Sequence, residues 1–323
     1  MQVTRTKPFV RDSEMRSHAD ARHDRIFRGV LKFCALLVLA ALLGAALSTL
    51  WGGREVLFGQ GLHFLTNDAW NPVEDDYGAL SPIFGTLVTS LIAIVLAVPV
   101  SFGVAMFLTE IAPTWMRGPV GTAIELLAGI PSIIYGMWGL FVFVPFMSSI
   151  EPALSDTLGK LPLVGKLFQG PPLGLGLLTA GIVLAVMILP FITSVMREVF
   201  QTVPIRLKES AYALGSTRWE VLWDIVLPYT RSAVIGGIIL GLGRALGETM
   251  AVTFVLGNSY NITSSLLKPG TSISSSIANE FNEAVGVHRS ALIALGFLLF
   301  VVTFIVLLIA RLMLHQLAKR EGK

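Results

Sequence analysis

Residues 208–250 read KESAYALGSTRWEVLWDIVLPYTRSAVIGGIILGLGRALGETM, and this stretch decides the fold. Its first half is polar with a central glycine, and its second half is apolar enough to enter a bilayer. Pro204 lies just before it, at the start of a short helix, where a missing N–H costs little. Gly215 can adopt the left-handed conformation that ends such a helix.

A second short helix is predicted directly after Gly215. Thr217 has the position of an N-cap, and Glu220 three residues later completes a capping box. Apolar residues at positions i, i+3 and i+4 predict one apolar face on this helix: Trp219, Leu222 and Trp223. Pro228 is expected to end the helix. The stretch therefore predicts a rigid helix–turn–helix on the cytoplasmic side of a membrane protein.

The spacing E-x-A-x3-G-x9-I-x-L-P of this stretch resembles the EAA loop of importers of the ATP-binding cassette (ABC) class. In that family the loop is the coupling helix that seats in a groove of the ATPase subunit. The resemblance implies the same role for seven residues here: Glu209, Ser210, Ala211, Gly215, Ile225, Leu227 and Pro228. Ser210 stands where the family usually has alanine, a change between small residues. The alternatives are an amphipathic loop on the bilayer surface and a chance match.

The composition is that of an integral membrane protein and excludes a soluble globular enzyme. Hydrophobic residues make up 54% of the chain, charged residues 14%, and the mean hydropathy is +0.73. The basic pI does not imply binding of nucleic acid, because the basic residues cluster beside apolar runs. A single cysteine, Cys34, excludes an intramolecular disulfide framework and a cysteine metal site, and the histidines lack metal-ligand spacing. We predict no metal and no cofactor.

Six apolar runs have the length of membrane-spanning helices, about 20 residues for a core of ~30 Å. They cover Val30–Leu50, Pro82–Leu108, Val120–Phe146, Leu173–Met196, Ser232–Leu256 and Ser290–Leu314. We therefore predict an all-α integral membrane protein with a polar, poorly ordered cytoplasmic tail (residues 1–28) and a permease domain (29–315). The domain contains a coupling loop (197–231), and a short basic tail (316–323) follows. A cleaved signal peptide is the alternative for the first run, but the run is too long and its polar flank too extended.

The distribution of basic residues predicts the orientation. With both termini inside, 18 Lys and Arg lie on the cytoplasmic face and five on the opposite face. This bias predicts an N-in, C-in topology. It also places the coupling loop in the cytoplasm, where ATP is found.

Two charged residues are expected inside the fifth span. Arg244 and Glu248 are four positions apart, so a continuous helix would place them on one face. A charge at the bilayer centre costs about 2.5–3.5 kcal/mol on insertion scales and therefore needs a partner, a pore or a neighbouring subunit. The two residues could neutralise each other as a structural pair. Alternatively, the guanidinium could help an anion to pass, because its geometry matches tetrahedral oxyanions.

Glycines at four-residue spacing accompany these charges: Gly237 and Gly241 on the same face, Gly243 and Gly247 beside it. Such pairs let helices approach closely, so we predict helix packing at these positions. Glu125, near the predicted cytoplasmic end of the third span, is expected to snorkel to water. Prolines interrupt four of the runs and predict kinks: Pro99, Pro131, Pro145 and Pro190.

Four longer stretches resemble the C-type permease subunits (PstC type) of bacterial phosphate-specific ABC importers. They are YGALSPIFGTLVTS (77–90), AVPVSFGVAMFLTE (97–110), ELLAGIPSIIYGMWGLFVF (125–143) and GGIILGLGRALGETMAVTFVLGN (236–258). The resemblance implies a multi-pass protein of the bacterial inner membrane that pairs with a homologous second permease and an ABC ATPase dimer. It also implies a periplasmic phosphate-binding protein that delivers inorganic phosphate as cargo. The membrane-embedded Arg and Glu of that family match Arg244 and Glu248.

The chain lacks the G-x-x-x-x-G-K-[ST] motif, so it has no P-loop of its own for ATP and no catalytic residue is assigned. The partial glycine motif GLGRALG lies inside a predicted span without a preceding strand, which disfavours a dinucleotide site. Another oxyanion, such as sulfate or molybdate, would fit the same architecture. An ion-coupled secondary transporter would leave the coupling loop without a role, and a membrane enzyme would need clustered histidines or carboxylates.

Overall fold

The structure is a computed structural model that describes residues 10–162 and 164–320. The chain divides into two compact units, Met1–Trp51 and Gly52–Lys323. Apart from two-residue strands and short 3-10 turns, the described elements are helices, which confirms the all-α prediction.

The helices are, in chain order, α1 (Val10–Gly52), α2 (Arg54–Gly59), α3 (Leu62–Thr66), α4 (Leu80–Met106), α5 (Thr114–Ala128), α6 (Ser132–Trp138), α7 (Val144–Thr157), α8 (Leu177–Gln201), α9 (Ile205–Ala213), α10 (Arg218–Glu220), α11 (Leu227–Leu246), α12 (Met250–Leu256), α13 (Ile273–Glu280) and α14 (Gly286–Arg320). The strands β1 (Trp70–Asn71) and β2 (Asp76–Tyr77) form an antiparallel hairpin in which Trp70 faces Tyr77. The 3-10 turns are Leu158–Lys160 and Gly165–Phe168.

Six helical segments among the described residues are long and apolar enough to cross a membrane, as predicted. They are His23–Gly52, Leu80–Ile111, Ser132–Lys160, Leu177–Gln201, Arg218–Leu246 and Gly286–Leu314. The first belongs to a helix that begins at Val10, so the polar segment from Val10 to Arg28 is helical and not irregular. The parts of the terminal tails at residues 1–9 and 321–323 lie outside the described residues.

The third span differs most from the prediction. The chain breaks after Ala128, and Pro131 is the N-cap of a new helix, with φ −57° and ψ 137°. Because a proline ring disfavours helical backbone in the residue before it, the break falls at Gly129–Pro131. The span therefore runs from Ser132 to Lys160, and the preceding helix α5 is a separate element that carries Glu125.

The described part of the chain contains three π turns, and each ends two residues before a proline. They cover Phe107–Ile111, Gly139–Phe143 and Val221–Val226, before Pro113, Pro145 and Pro228. A proline cannot donate to the carbonyl four residues earlier, and its ring clashes with that carbonyl. A widened turn removes the clash, and the helix continues through Pro145 and Pro228, whereas before Pro113 it ends at Ile111. Contrary to the prediction, Pro228 does not end a helix: the segment Arg218–Leu246 is continuous.

Helix α8 forms the centre of the second unit. In its most hydrophobic stretch 61% of the residues are buried, against at most 28% in the other spans. It packs along α4 and also contacts α5, α11 and α12. The hydroxyl of the fully buried Ser101 in α4 donates to the Leu189 carbonyl of α8 at 3.0 Å, next to Pro190. This bond joins α4 to α8 and stabilises the contact between the two helices.

Candidate functional site

A helix–turn–helix between the fourth and fifth spans carries the predicted coupling residues. Helix α9 begins directly after Pro204 and ends at Ala213, and Gly215 has φ +90°. The Ser216 amide donates to the Ala211 carbonyl at 3.1 Å across this turn. The left-handed glycine closes α9 and reverses the chain, as predicted.

The predicted capping box at the second helix is confirmed. The Thr217 amide donates to Glu220 Oε2 at 2.7 Å, and the Glu220 amide donates to Thr217 Oγ1 at 3.3 Å. The predicted single apolar face is wrong, because the π turn at Val221–Val226 changes the helical period. Leu222 points into the core, whereas Trp219 and Trp223 are 62% and 42% exposed and pack edge to face.

The tip of this segment exposes apolar side chains to a degree that a soluble surface rarely shows. Leu214 beside the turn is 89% exposed, and Ile205 in the first turn of α9 is 69% exposed. We call the exposed apolar residues of this segment the docking surface: Ile205, Leu207, Tyr212, Leu214 and Trp219. Of the seven predicted coupling residues, Glu209, Ser210, Gly215 and Pro228 are exposed, Ile225 and Leu227 are half-buried, and Ala211 is buried. Ala211 joins a core cluster with Val221, Leu222 and Val226, so a small residue there lets the two helices meet.

An ion pair fastens the docking surface to the membrane domain. Lys208 Nζ of α9 lies 2.5 Å from Glu110 Oε1 in the π turn that ends the second span, and both side chains are at most 16% exposed. A second pair joins Arg197 of α8 to Glu125 of α5. Glu125 therefore does not simply snorkel: its half-exposed carboxylate has a partner. Sequence reasoning missed both pairs because their members lie 98 and 72 positions apart.

The structure separates Arg244 and Glu248, which were predicted to share a helix face. Helix α11 ends at Leu246 with Gly247 as its C-cap, so Glu248 lies in the break before α12. Glu248 Oε1 accepts from the Ala251 amide at 3.3 Å in the first turn of α12. The guanidinium of Arg244 lies 5.4 Å from the centre of the Phe191 ring. No carboxylate of the described residues lies within 4.0 Å of it, which disfavours the structural-pair hypothesis.

The four glycines near these charges differ in their surroundings. A Cβ on Gly241 would lie 2.7 Å from Ile192, and one on Gly237 would lie 3.0 Å from Val195, so these two glycines pack against α8. Gly243 has ordinary room beside Leu307 of α14, where a Cβ would be 3.6 Å away. Gly247 has no close side-chain neighbour and serves as the helix cap. The predicted close helix packing therefore occurs at Gly237 and Gly241 and not at Gly243 and Gly247.

An aromatic cluster at the other end of α4 was not predicted. Trp70 stacks on Tyr260 at 4.8 Å, and Tyr77 stacks on His288 at 5.3 Å. Glu280 lies between them: its carboxylate accepts from Trp70 Nε1 at 2.8 Å and from the Tyr260 hydroxyl at 2.6 Å. Nε2 of His288 also lies 2.8 Å from Glu280. The cluster joins the β-hairpin, the loop after α12, α13 and the start of α14.

Both phenols of the cluster are held in their neutral form. Burial and the neighbouring Asp75 raise the pKa of Tyr77 from 10.0 to about 12. Burial and the hydrogen bond to Glu280 raise the pKa of Tyr260 well above its usual range. Because the folded pKa of Tyr77 is raised, its contribution to stability is complete below pH 10.0 and is lost as the pH rises through about 12.

We expect Glu280→Ala to lower the thermal stability of the purified protein. The change leaves the Trp70 and Tyr260 donors without an acceptor, at about 1–3 kcal/mol for each donor that stays buried. Thermal denaturation in detergent measures the effect. The control is Glu283→Ala, which removes an exposed carboxylate from the turn that follows α13. Equal melting temperatures for the two variants would show that the cluster does not stabilise the fold.

Six hydrophobic helices, with an exposed apolar helix–turn–helix that leads into the fifth, are the architecture of a multi-pass membrane permease subunit of an importer. The chain belongs to the family of binding-protein-dependent transport system inner membrane components, whose model matches residues 77–319.

The relatives agree with this assignment. A phosphate transport system permease protein PstC of Xylella fastidiosa (strain 9a5c) is 67% identical over 304 residues, which cover 94% of each chain. A protein of the same name from Mesorhizobium japonicum is 53% identical over 323 residues and 99% of each chain. Among solved structures, a chain of a bacterial alginate ABC transporter in complex with a pentasaccharide-bound periplasmic protein superposes with a TM-score of 0.63. It is 20% identical, covers 93% of this chain and 98% of its own, and supports the fold alone.

Proposed function

We propose that this chain is the transmembrane permease subunit of an ABC importer for inorganic phosphate. The observation that carries the proposal is the 67% identity to a phosphate transport system permease over 94% of both chains. Identity at this level extends through the membrane helices that would contact the cargo, and does not stop at the coupling segment common to importers. The subunit performs no bond chemistry itself; a partner hydrolyses ATP.

The proposed partners are a homologous second permease, an ABC ATPase dimer and a periplasmic phosphate-binding protein. Two features support them. The docking surface exposes Leu214 and Trp219, which an ATPase groove would cover. The spans formed by α4, by α6 with α7, and by α14 are only 22–28% buried, so their apolar faces are available to lipid and to a second permease. The N-in, C-in orientation belongs to the same proposal and turns the docking surface to the cytoplasm.

Arg244 and Glu248 are the proposed pathway residues. Arg244 is exposed in the single chain and has an aromatic ring, not a carboxylate, beside it, so its donors are available to an oxyanion. Glu248 caps the helix that follows the break and thereby fixes the backbone around Gly247. In this arrangement Glu248 holds the backbone that shapes the pathway, and Arg244 donates hydrogen bonds to the anion.

Phosphate uptake in cells that lack their own high-affinity system tests the proposed function. The chain is supplied together with its neighbouring genes, and excess sulfate or molybdate is added as a competitor. We expect uptake that requires this chain and resists both competitors. Uptake that is absent, or that follows another oxyanion, would reject phosphate as the cargo and leave the importer class in place.

The ion pair beneath the docking surface provides a separate prediction. Glu110→Gln leaves the ammonium of Lys208 largely buried without its carboxylate, a change that costs about 3 kcal/mol in comparable pairs. We expect phosphate uptake to fall roughly tenfold with unchanged amounts of protein in the membrane. The charge swap Glu110→Lys with Lys208→Glu should restore part of the uptake. The control is Glu198→Gln, which removes an exposed carboxylate from the last turn of α8. An equal loss of uptake in this variant would contradict the role of the Glu110–Lys208 pair.

A further inference from the structure

A cavity of about 440 Å³ lies at the base of the docking surface. Its size is within the range of small-molecule sites. Four elements meet around it: the π turn that ends the second span, the start of α5, the end of α8 and the start of α9. The polar residues that line it are Thr109, Arg117, Gln201, Thr202 and Lys208.

The cavity has an excess of positive charge. Arg117 donates Nε to the Ala112 carbonyl at 2.8 Å, which fixes the side chain and leaves its two terminal nitrogens for a ligand. The described residues place no carboxylate within 4.0 Å of this guanidinium. Lys208 is paired with Glu110, so the three groups together retain one positive charge. A guanidinium beside an ammonium is a typical combination for a phosphate oxygen.

The hydroxyls in the wall accept hydrogen bonds from a ligand and do not donate to it. Thr109 already donates to the Ala105 carbonyl at 3.1 Å, and Thr202 donates to the Val199 carbonyl at 2.7 Å. Their oxygens keep free lone pairs. The cavity therefore suits an anion that carries a hydroxyl of its own, such as hydrogen phosphate or the glycerol phosphate of a lipid headgroup. It suits a fully deprotonated anion such as sulfate less well.

We propose that this cavity binds an anion that has both a phosphate group and a hydroxyl, with the phosphate held by Arg117 and Lys208. The source is either free phosphate on the docking side of the membrane or the headgroup of phosphatidylglycerol. Because the ligand would contact both α5 and α9, its binding would stiffen the attachment of the docking surface. The proposal does not depend on the cargo, since Arg244 takes no part in the cavity.

The test uses the full-length chain with its co-purifying subunits, without a binding protein, and with Arg244→Gln in every sample. The Arg244→Gln change prevents phosphate bound at the proposed pathway site from contributing to the measured binding. Binding of radiolabelled inorganic phosphate is measured by equilibrium dialysis. Binding of phosphatidylglycerol is measured by native mass spectrometry, with phosphatidylcholine for comparison. Arg117→Gln is compared with Arg206→Gln, which removes an exposed arginine of α9 outside the cavity wall.

We expect Arg117→Gln to weaken one of the two ligands roughly tenfold, the loss typical of one charged hydrogen bond, and Arg206→Gln to leave both unchanged. If only the binding of inorganic phosphate is weakened, the ligand is the free anion. If only the binding of phosphatidylglycerol is weakened, the ligand is the lipid. Gln201→Leu, at the exposed rim, should weaken the same ligand and guards against misfolding of the first variant. Equal binding of both ligands by the Arg117 and Arg206 variants overturns the proposal.

Discussion

Arg244→Gln is expected to abolish phosphate uptake while the protein inserts and assembles normally. Hydrogen bonds to a charged group contribute about 1.5–3 kcal/mol each, so the loss of a two-pronged guanidinium contact should lower uptake roughly 100-fold or more. Glutamine retains polarity and much of the length but not the charge. Arg244→Lys retains the charge without the fork and should give an intermediate rate. Uptake is measured at matched protein levels in the membrane.

Arg289→Gln is the matched control for this experiment. Arg289 also lies over an aromatic ring, 5.3 Å from the centre of Phe281, but it is located in the first turn of α14, next to the aromatic cluster. Its replacement should leave uptake near that of the unchanged protein. Phe191→Leu adds information, since it removes the ring beneath Arg244 and should lower uptake only in part. Near-normal uptake by the Arg244→Gln variant would remove Arg244 from the pathway.

Gly215→Val is expected to detach the ATPase and thereby stop transport. The backbone at Gly215 has φ +90°, a conformation that costs a residue with a Cβ about 1–2 kcal/mol and a β-branched residue more. No atom lies within 4 Å of a Cβ built there, so the backbone conformation alone opposes the change. The turn should open and displace Leu214. We expect little ATPase to co-purify and uptake to fall at least tenfold.

Two variants make this second prediction specific. Gly215→Asn should be milder, because asparagine tolerates the left-handed region better than other residues with a side chain. Gly118→Val places the same bulk at a helical glycine whose Cβ position is equally open, and it should retain both the ATPase and transport. A Gly215→Val variant that co-purifies with the ATPase and transports normally would exclude this turn from the docking site.

Local patterns predicted the parts of the fold that depend on neighbouring residues. The six spans, the left-handed Gly215 and the capping box of Thr217 and Glu220 follow from hydrophobic length and short-range hydrogen bonding, and the structure confirms them. The predicted effect of single prolines on helix continuity was wrong. Pro131 separates two helices, whereas Pro228 is accommodated by a π turn, and hydropathy does not distinguish these outcomes.

The candidate site shows the same limit. Arg244 and Glu248 are recognisable in sequence because charges are rare in spans, but their relative position depended on a helix end at Leu246 that apolar periodicity does not mark. The pair Glu110–Lys208 and the cluster around Glu280 connect residues far apart in the chain, so only the folded structure reveals them. Pairwise contacts at such separations leave no periodic pattern in a single sequence.

The π turn before Pro228 keeps the helix continuous from Trp219, at the edge of the docking surface, into the membrane span, so this part of the chain forms one rod. Between Trp219 and Arg244 the backbone stays helical without a loop, over roughly 38 Å at 1.5 Å per residue. A flexible connection would absorb a push on the tryptophan before it reached the bilayer. A rod instead turns a tilt of a few degrees at one end into a sideways shift of an ångström or more at the other, so a partner that tilts the helix at Trp219 would also move Arg244.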